Sequence, residues 1–189
     1  LRWQQDPFGN HLAQLGFPGD LRLRELELRV ELAVDIRPVN PFDFFIDERC
    51  EQLPFSYPDD LRRDLAPYLD TVDEALAGGP RLQEFLAALP SRGKTIDVLV
   101  ALNRAVNRTL RYVVREEPGV WTPEETLAQG RGSCRDSAML LIAALRSRGI
   151  AARFVQNEAH SWVEVALPDI GFLRIDLGGA THGLTAHGA

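Results

Sequence analysis

The segment 130–149 constrains the fold more than any other part of the sequence. It begins with a glycine-flanked turn, continues through Ser133 and Cys134, and then runs through almost exclusively apolar residues from 138 to 145. A helix that is apolar on every side is buried on every side, so the segment predicts the central helix of a domain. Ser133 is a favoured N-cap residue, and Gly149 suits the left-handed position after a helix.

Cys134 lies in the first turn of this predicted helix. The positive end of the helix favours the thiolate, which is the nucleophilic form of cysteine, and Arg135 adds a positive charge beside it. The preceding glycines allow a carbonyl group to approach the backbone N–H groups. Many free cysteines, however, are small buried side chains that only pack. The segment alone supports a reactive and a structural role for Cys134 equally.

A predicted β-hairpin supplies two partners for a reactive thiol. Two stretches, 160–167 and 172–177, alternate as strands do, with a Pro/Gly turn signal between them. If the turn centres on Pro168, His160 and Asp176 lie directly opposite each other on one sheet face, with Cβ atoms about 5 Å apart. If the centre shifts by one residue, they become diagonal neighbours and contact is still possible. A thiol, an imidazole and a carboxylate are the three parts of a thiol-based acyl-transfer site.

These features together resemble the transglutaminase-like superfamily, and most closely its bacterial branch, whose members are similar to papain-type cysteine proteases. The resemblance is carried by residues 132–136, the apolar helix after them, residues 149–155 and 160–165, and Asp176. It implies an α+β fold with a papain-like, transglutaminase-like core. In that core a cysteine at the N-terminus of a buried helix packs on an antiparallel sheet, and a small β region precedes it. The family's catalytic Cys, His and Asp then correspond to Cys134, His160 and Asp176.

Three positions depart from the family pattern. The link between Val155 and His160 is short, where relatives usually carry a longer loop beside the cleft. Phe172 stands where a Trp is usual, and Leu177 stands where a Pro is usual. These departures concern the cleft walls and the position of Asp176, so they leave the substrate and the capacity for turnover open.

The sequence also suggests residues that would stabilise charge on a substrate carbonyl. The backbone N–H of Cys134, beside Ser133 at the helix N-terminus, is the first oxyanion donor. Trp121 is a candidate for the second through its indole N–H, although a core position explains this residue as well, and we favour the core. Trp162 alternates onto the face of His160, where it would shield the imidazole or pack in the sheet core. We therefore assign Trp121, Ser133 and Trp162 as candidate substrate or oxyanion residues.

The chain divides into three predicted regions. Residues 1–55 form an N-terminal β region that starts part-way through, with a linker; residues 56–178 form the catalytic core; residues 179–189 form a flexible tail. The clearest strand of the first region is the strict apolar alternation over residues 26–36. In the core, apolar spacing and Pro/Gly breaks predict helices over residues 59–69, 81–89, 95–110 and 124–129, and a strand over residues 150–156.

Charge and cysteine content limit the partners and the compartment. The net charge of −6 disfavours a general nucleic-acid role, which requires a basic face. No apolar run approaches the ~20 residues of a membrane span, so we expect no membrane association. Two cysteines, Cys50 and Cys134, do not make a disulfide framework and favour a reducing compartment, for which we take the cytoplasm. We expect no metal and no cofactor, because Cys50, His182 and His187 lack metal-ligand spacing.

The predicted function is acyl transfer from a peptide or protein substrate. We rank a cysteine peptidase or amidase first, because the resemblance to bacterial relatives favours hydrolysis. A transglutaminase, in which a Lys amine replaces water, is the second hypothesis, since Cys134, His160 and Asp176 serve both reactions. The third is a catalytically silent binding or assembly module, which the short link before His160 favours. Neither the acceptor nor the oligomeric state follows from the sequence.

Overall fold

The computed structural model describes residues 1–5, 11–17, 19, 22, 24–27, 29, 46–72, 76, 78–157, 160–168, 170–176 and 185–186. The chain divides into two compact units, Leu1–Arg37 and Pro38–Ala189. In the first unit, β1 (Arg2–Gln5) pairs antiparallel with β2 (His11–Gln14). Most of the strand predicted over residues 26–36 lies outside the described residues, and its described positions are not in a strand. The predicted tail also lies outside them, except for residues 185–186.

The second unit begins with a short 3₁₀ helix, Glu48–Cys50, and then mixes helices with strands. The helices are α1 (Asp59–Asp64), α2 (Ala66–Leu69), α3 (Pro80–Ala87), α4 (Thr95–Thr109), α5 (Pro123–Gln129) and α6 (Cys134–Arg146). The strands are β3 (Gln52–Leu53), β4 (Gly93–Lys94), β5 (Arg111–Tyr112), β6 (Arg131–Gly132), β7 (Ala152–Gln156), β8 (Ser161–Leu167), β9 (Gly171–Ile175) and β10 (Thr185–Ala186). This mixture confirms the predicted α+β class.

The sequence predicted one helix over residues 59–69, and the structure has two. Pro67 is the second residue of α2 and has no N–H with which to continue the hydrogen-bond ladder of α1. The chain therefore leaves α1 at Leu65 and begins a new helix. The other predicted helices are present, within the two residues by which helix ends commonly vary.

Helix α6 is the centre of the second unit. Nine of its thirteen residues are buried, as its apolar sequence predicted. Helix α4 packs against it through fully buried residues such as Leu99 and Leu102, and β7 and β8 also contact it. Truncating one such leucine to alanine typically costs about 2–5 kcal/mol of unfolding free energy. Among the described helices, α6 included, none has the length and apolar character needed to cross a membrane.

The sheet behind α6 has the order β10-β9-β8-β7, and all of its pairs are antiparallel. The pair Val163↔Ile175 puts the centre of the β8–β9 hairpin one residue later than the sequence predicted. Continuing this register places Asp176 opposite Trp162, with His160 as its diagonal neighbour. The direct opposition of His160 and Asp176 is therefore wrong, and the diagonal alternative holds. The turn residues allow both centres, so packing of the strands decides between them.

A short parallel pair brings the chain to the start of α6. Strand β5 pairs with β6 in the register Arg111↔Arg131 and Tyr112↔Gly132. The backbone N–H of Val113 extends the ladder by donating to the carbonyl oxygen of Gly132 at 3.0 Å. Because β6 ends one residue before the cap of α6, this pairing places the segment after β5 beside the helix N-terminus.

Candidate active site

Cys134 opens onto a cleft of about 280 Å³ at the N-terminus of α6. Its side chain is partly exposed, and its thiol is free. The cleft brings together the helix start, the segment after β5 and the beginning of β8. Its lining residues are Tyr112, Val114, Arg115, Glu116, Ser133, Cys134, Arg135, Gln156, His160 and Ser161. Two of the three predicted catalytic residues, Cys134 and His160, therefore share one cavity.

The imidazole of His160 is fixed by a carboxylate. Its Nε2 atom lies 2.8 Å from Oδ1 of Asp176. A carboxylate oxygen only accepts hydrogen bonds, so Nε2 carries the proton in the neutral ring and Nδ1 holds the free lone pair. The structure thus brings the second and third predicted catalytic residues into contact, and this contact leaves Nδ1 as the acceptor nitrogen of the neutral ring.

Asn157 closes the short link before His160. Its side-chain oxygen accepts the backbone N–H of His160 at 2.8 Å, and its own N–H donates to the carbonyl oxygen of His160 at 2.9 Å. These two bonds tie His160, at the start of β8, to the end of β7. The shortness of the link, which departs from the family pattern, is compatible with a positioned imidazole.

Asp176 is held from its other side by an arginine. The residue is 4% exposed, and its Oδ2 atom accepts a hydrogen bond from Nη2 of Arg174 at 2.5 Å. The guanidinium of Arg174 lies 4.2 Å from the centre of the Trp162 ring. That ring lies 6.3 Å from the ring of His160, at an interplanar angle of 26°. The three side chains therefore form a column in which the Trp162 ring lies between His160 and Arg174. Asp176 contacts both ends of this column.

Arg174 was not among the predicted site residues. Period-two alternation places it on the same sheet face as Asp176, which was the available signal. Arg153 gives the same signal, yet it donates to Glu164 at 2.8 Å and lies 3.7 Å from the centre of the Phe172 ring. The sequence alone could not tell the two arginines apart. Phe172, which replaces the usual Trp, thus packs under Arg153.

The buried carboxylate of Asp136 organises the helix side of the cleft. The guanidinium of Arg115 donates to its two oxygens at 2.9 and 3.1 Å. The backbone N–H of Trp121 donates at 2.9 Å, and the N–H and hydroxyl of Ser133 donate at 2.8 and 2.7 Å. Burial opposes ionisation of this carboxyl group, but these five hydrogen bonds outweigh it and lower the pKa of Asp136 below its ordinary value.

A family model matches the part of the chain that contains this site. Residues 88–177 match the family model of the Transglutaminase-like superfamily. This part of the chain belongs to the transglutaminase-like superfamily. The family predicted from the sequence is confirmed. The comparison with curated proteins gives no match.

Two solved structures resemble the chain. One is described as "a Putative Cysteine Protease from Cytophaga hutchinsonii", with a TM-score of 0.56 and 19% identity over 75% of this chain and 51% of that one. The other is the periplasmic domain of TgpA from Pseudomonas aeruginosa bound to ethylmercury, with a TM-score of 0.45 and 23% identity over 61% and 48% of the two chains. This chain spans about half the length of each aligned protein. The first similarity supports the transglutaminase-like fold, and at such identity it supports the fold alone.

The three candidate substrate residues take different places in this transglutaminase-like core. Ser133 lines the cleft, but its hydroxyl donates to Asp136. The ring of Trp121 lies 4.2 Å from the guanidinium of Arg115, and Trp121 is not among the described residues that line the cleft. This placement favours the packing role for Trp121. Trp162 belongs to the column beside His160, and its indole N–H donates to Glu164 at 3.2 Å.

Arg135 completes the helix side of the cleft. Its Nη2 atom donates to the backbone carbonyl oxygens of Arg115 and Glu117 at 2.9 and 3.1 Å. Together with the bonds of Asp136, these contacts fasten residues 115–121 to the first turn of α6. One wall of the cleft is therefore preformed. No group of three or more His, Cys, Asp or Glu side chains suited to a metal ion occurs within the described part of the chain.

Proposed function

We propose that the chain is a thiol-dependent enzyme that hydrolyses amide bonds in a peptide or protein substrate. The observation that carries this proposal is the 2.8 Å contact between Nε2 of His160 and Oδ1 of Asp176, beside a cleft that His160 shares with Cys134. Membership of the superfamily supports the general class of cysteine-dependent acyl transfer or hydrolysis.

In the first half-reaction, Nδ1 of His160 accepts the thiol proton of Cys134 as the sulfur attacks the carbonyl carbon of a peptide bond or a Gln side chain. The resulting tetrahedral intermediate collapses and its C–N bond breaks. Nδ1 returns the proton to the leaving amine, and a thioester remains on Cys134. Asp176 keeps the proton on Nε2 and stabilises the imidazolium formed between the two proton transfers.

In the second half-reaction, water gives a proton to Nδ1 of His160 and attacks the thioester. The C–S bond breaks, the carboxylic acid leaves, and Nδ1 returns its proton to the sulfur of Cys134, which restores the thiol and the neutral imidazole. The backbone N–H of Cys134, one of the unpaired donors of the first turn of α6, stabilises the oxyanion in both halves. A transglutaminase would use the same thioester with a primary amine in place of water, and the superfamily makes this the second candidate function.

The test is release of ammonia or amine from a panel of peptides and Gln-containing peptides, with a primary amine added to half of the reactions. We expect wild type to hydrolyse members of the panel, and Cys134→Ser and His160→Ala to lose turnover to a similar degree, because residues that act as one unit are not additive. Iodoacetamide should label Cys134 and spare the fully buried Cys50.

Three other outcomes would change the proposal. Amine incorporation that exceeds hydrolysis would make the chain a transglutaminase. Turnover that Cys134→Ser leaves unchanged would exclude the thiol mechanism. If neither wild type nor Cys134→Ser turns over any member of the panel, although Cys134 is labelled rapidly, the binding or assembly module is favoured. A cytoplasmic location stays a prediction from the sequence.

A further inference from the structure

Among the described strands, only β6 pairs with β5, and this leaves the edge of β5 that borders the cleft free. The N–H groups of Arg111 and Val113 donate to the carbonyl oxygens of Gly130 and Gly132, both at 3.0 Å. In a parallel pair, alternate residues face the partner strand, so the N–H and C=O of Tyr112 point away from β6. Val114 directly follows Val113, the last residue of this ladder, and lies just beyond the end of β5. Among the hydrogen bonds of the described residues, none reaches the backbone of Tyr112 or Val114.

The side chains on this edge are apolar and exposed. Tyr112 is 59% exposed and Val114 is 78% exposed, and both line the cleft that contains Cys134. A single exposed apolar residue is ordinary, but two of them two residues apart, beside an unpaired strand edge, are features of a binding surface. A strand edge left open in this way also invites another chain, unless something covers it.

The edge is held in place before any ligand arrives. Arg115, directly after Val114, is fixed by Asp136, and its carbonyl oxygen accepts a hydrogen bond from Arg135. Both contacts come from the first turn of the helix that carries Cys134. A preformed edge loses little conformational entropy on binding, so its hydrogen bonds can contribute to affinity.

We propose that an extended peptide substrate binds as an added strand along the free edge of β5. Its backbone pairs with the N–H and C=O groups of Tyr112 and Val114, and its apolar side chains pack on theirs. The strand then leads its scissile carbonyl to Cys134 in the same cleft. This inference rests on the proposed function and specifies its substrate class, which is an extended apolar peptide segment. A cleft of about 280 Å³ suits a few side chains rather than a folded partner.

The experiment compares two thiol reagents on the intact chain. An apolar peptide chloromethyl ketone, acetyl-Val-Leu-Ala, tests the edge, and iodoacetamide tests the thiol alone; mass spectrometry gives the labelling rate of Cys134 for both. We expect Val114→Asn to slow the peptide reagent about tenfold, the value of a small apolar group in a pocket, and to leave iodoacetamide unchanged. Val120→Asn is the matched control, because Val120 is also exposed, at 44%, but does not line the cleft.

A second comparison tests the backbone pairing. N-methylation of one peptide amide removes a donor, and we expect labelling to slow about fivefold for each paired amide that is methylated. Equal rates for the parent and N-methylated peptide reagents, and for wild type and Val114→Asn, with iodoacetamide labelling intact, would overturn the edge-binding proposal and leave the proposed function standing. Failure of both reagents to label Cys134 faster than free cysteine would overturn both. If the protein forms a dimer and Val114→Asn dissociates it, a second copy of the chain occupies the edge, and this proposal is also overturned.

Discussion

Two aspartates lie behind the two proposed reacting side chains, and they use similar surroundings differently. Asp136 is fully buried and Asp176 is 4% exposed, and each accepts a hydrogen bond from an arginine. The remaining bonds of Asp136 come from backbone N–H groups and a hydroxyl, whose charges do not change near neutral pH. Asp176 binds the ring of His160, which gains and loses a proton in the proposed reaction.

The difference shows that burial and ion pairing do not by themselves identify a catalytic carboxylate. What distinguishes the two groups is the chemistry of their partners. Asp136 can only hold the helix start and the cleft wall in place, so its loss should affect folding. Asp176 also holds a proton acceptor, so its loss should affect turnover. Substitutions at the two positions can separate these roles.

The largest expected effect is on turnover, for Asp176→Asn. The carboxamide can offer its NH₂ group to Nε2 and favour the tautomer with the proton on Nδ1, where it cannot serve as a base. We expect kcat to fall by about 10⁴-fold, as when this substitution is made beside the histidine of serine proteases. Rates are measured on the best peptide of the panel. The melting temperature should fall less than in Asp136→Asn, because Arg174 is 26% exposed and keeps contact with water whereas Arg115 is 9% exposed. A variant that unfolds instead would break the comparison.

The second effect is on stability, for Asp136→Asn. Removing one member of a buried ion pair leaves Arg115 with only the exposed carboxylate of Glu117, at 4.0 Å, and costs about 3–5 kcal/mol of unfolding free energy. Urea unfolding measures the loss. The matched control is Glu125→Gln, which alters the equivalent capping-box position of α5 at an exposed site. If the two substitutions lower the unfolding free energy equally, the buried network around Asp136 contributes no more to stability than an exposed helix cap.

Acid unfolding tests the same carboxylate without relying on activity. The folded pKa of Asp136 lies below its ordinary value of 3.8, because its hydrogen bonds outweigh its burial. The stabilisation from this shift is complete above the unfolded pKa and is lost as the pH falls through the folded pKa. Wild type should therefore lose stability more steeply than Asp136→Asn below about pH 4. Parallel stability curves for the two proteins would contradict this.

The two sides of the site also differ in how well the sequence predicts them. The helix side is local: Ser133, Cys134 and Asp136 lie within four residues of one another, so helix capping places them directly. The sequence did not predict the arginine partner of Asp136, because Arg115 lies 21 residues away and its segment has no periodic pattern. The central helix and its packing on α4 followed from apolar spacing for the same local reason.

The sheet side depends on register, which is not local. Alternation placed His160 and Asp176 on one face, but the turn between their strands left the hairpin centre undetermined by one residue. That residue decides whether the pair is opposite or diagonal. It also decides which aromatic ring lies under Arg174, so the column over Trp162 could not be derived. Confirmation of the family came from the match of residues 88–177 to the family model, whereas this column came only from the structure.

The third prediction tests whether Arg174, on the sheet side, supports the role of Asp176 in turnover. Arg174→Gln removes one charge-assisted hydrogen bond, and we expect kcat to fall about 10- to 100-fold with little change in KM, because Arg174 does not line the cleft. Arg174→Lys should recover part of the loss. Arg153→Gln is the matched control. The side chain of Arg153 is 27% exposed and that of Arg174 is 26% exposed, and Arg153 also pairs with a carboxylate and lies over an aromatic ring. Faster turnover in Arg174→Gln would mean that Arg174 competes with the imidazolium for Asp176.

The smallest effect concerns the ring between His160 and Arg174. Trp162→Phe keeps an aromatic surface but removes the indole N–H that donates to Glu164, so we expect about 1 kcal/mol less unfolding free energy and nearly unchanged kcat. Trp162→Leu also removes the surface under Arg174, a contact worth about 0.5–1 kcal/mol at such sites, and kcat should then fall measurably. Equal kcat for the two variants would mean that Asp176 alone fixes the imidazole, because the column would then position nothing that turnover requires.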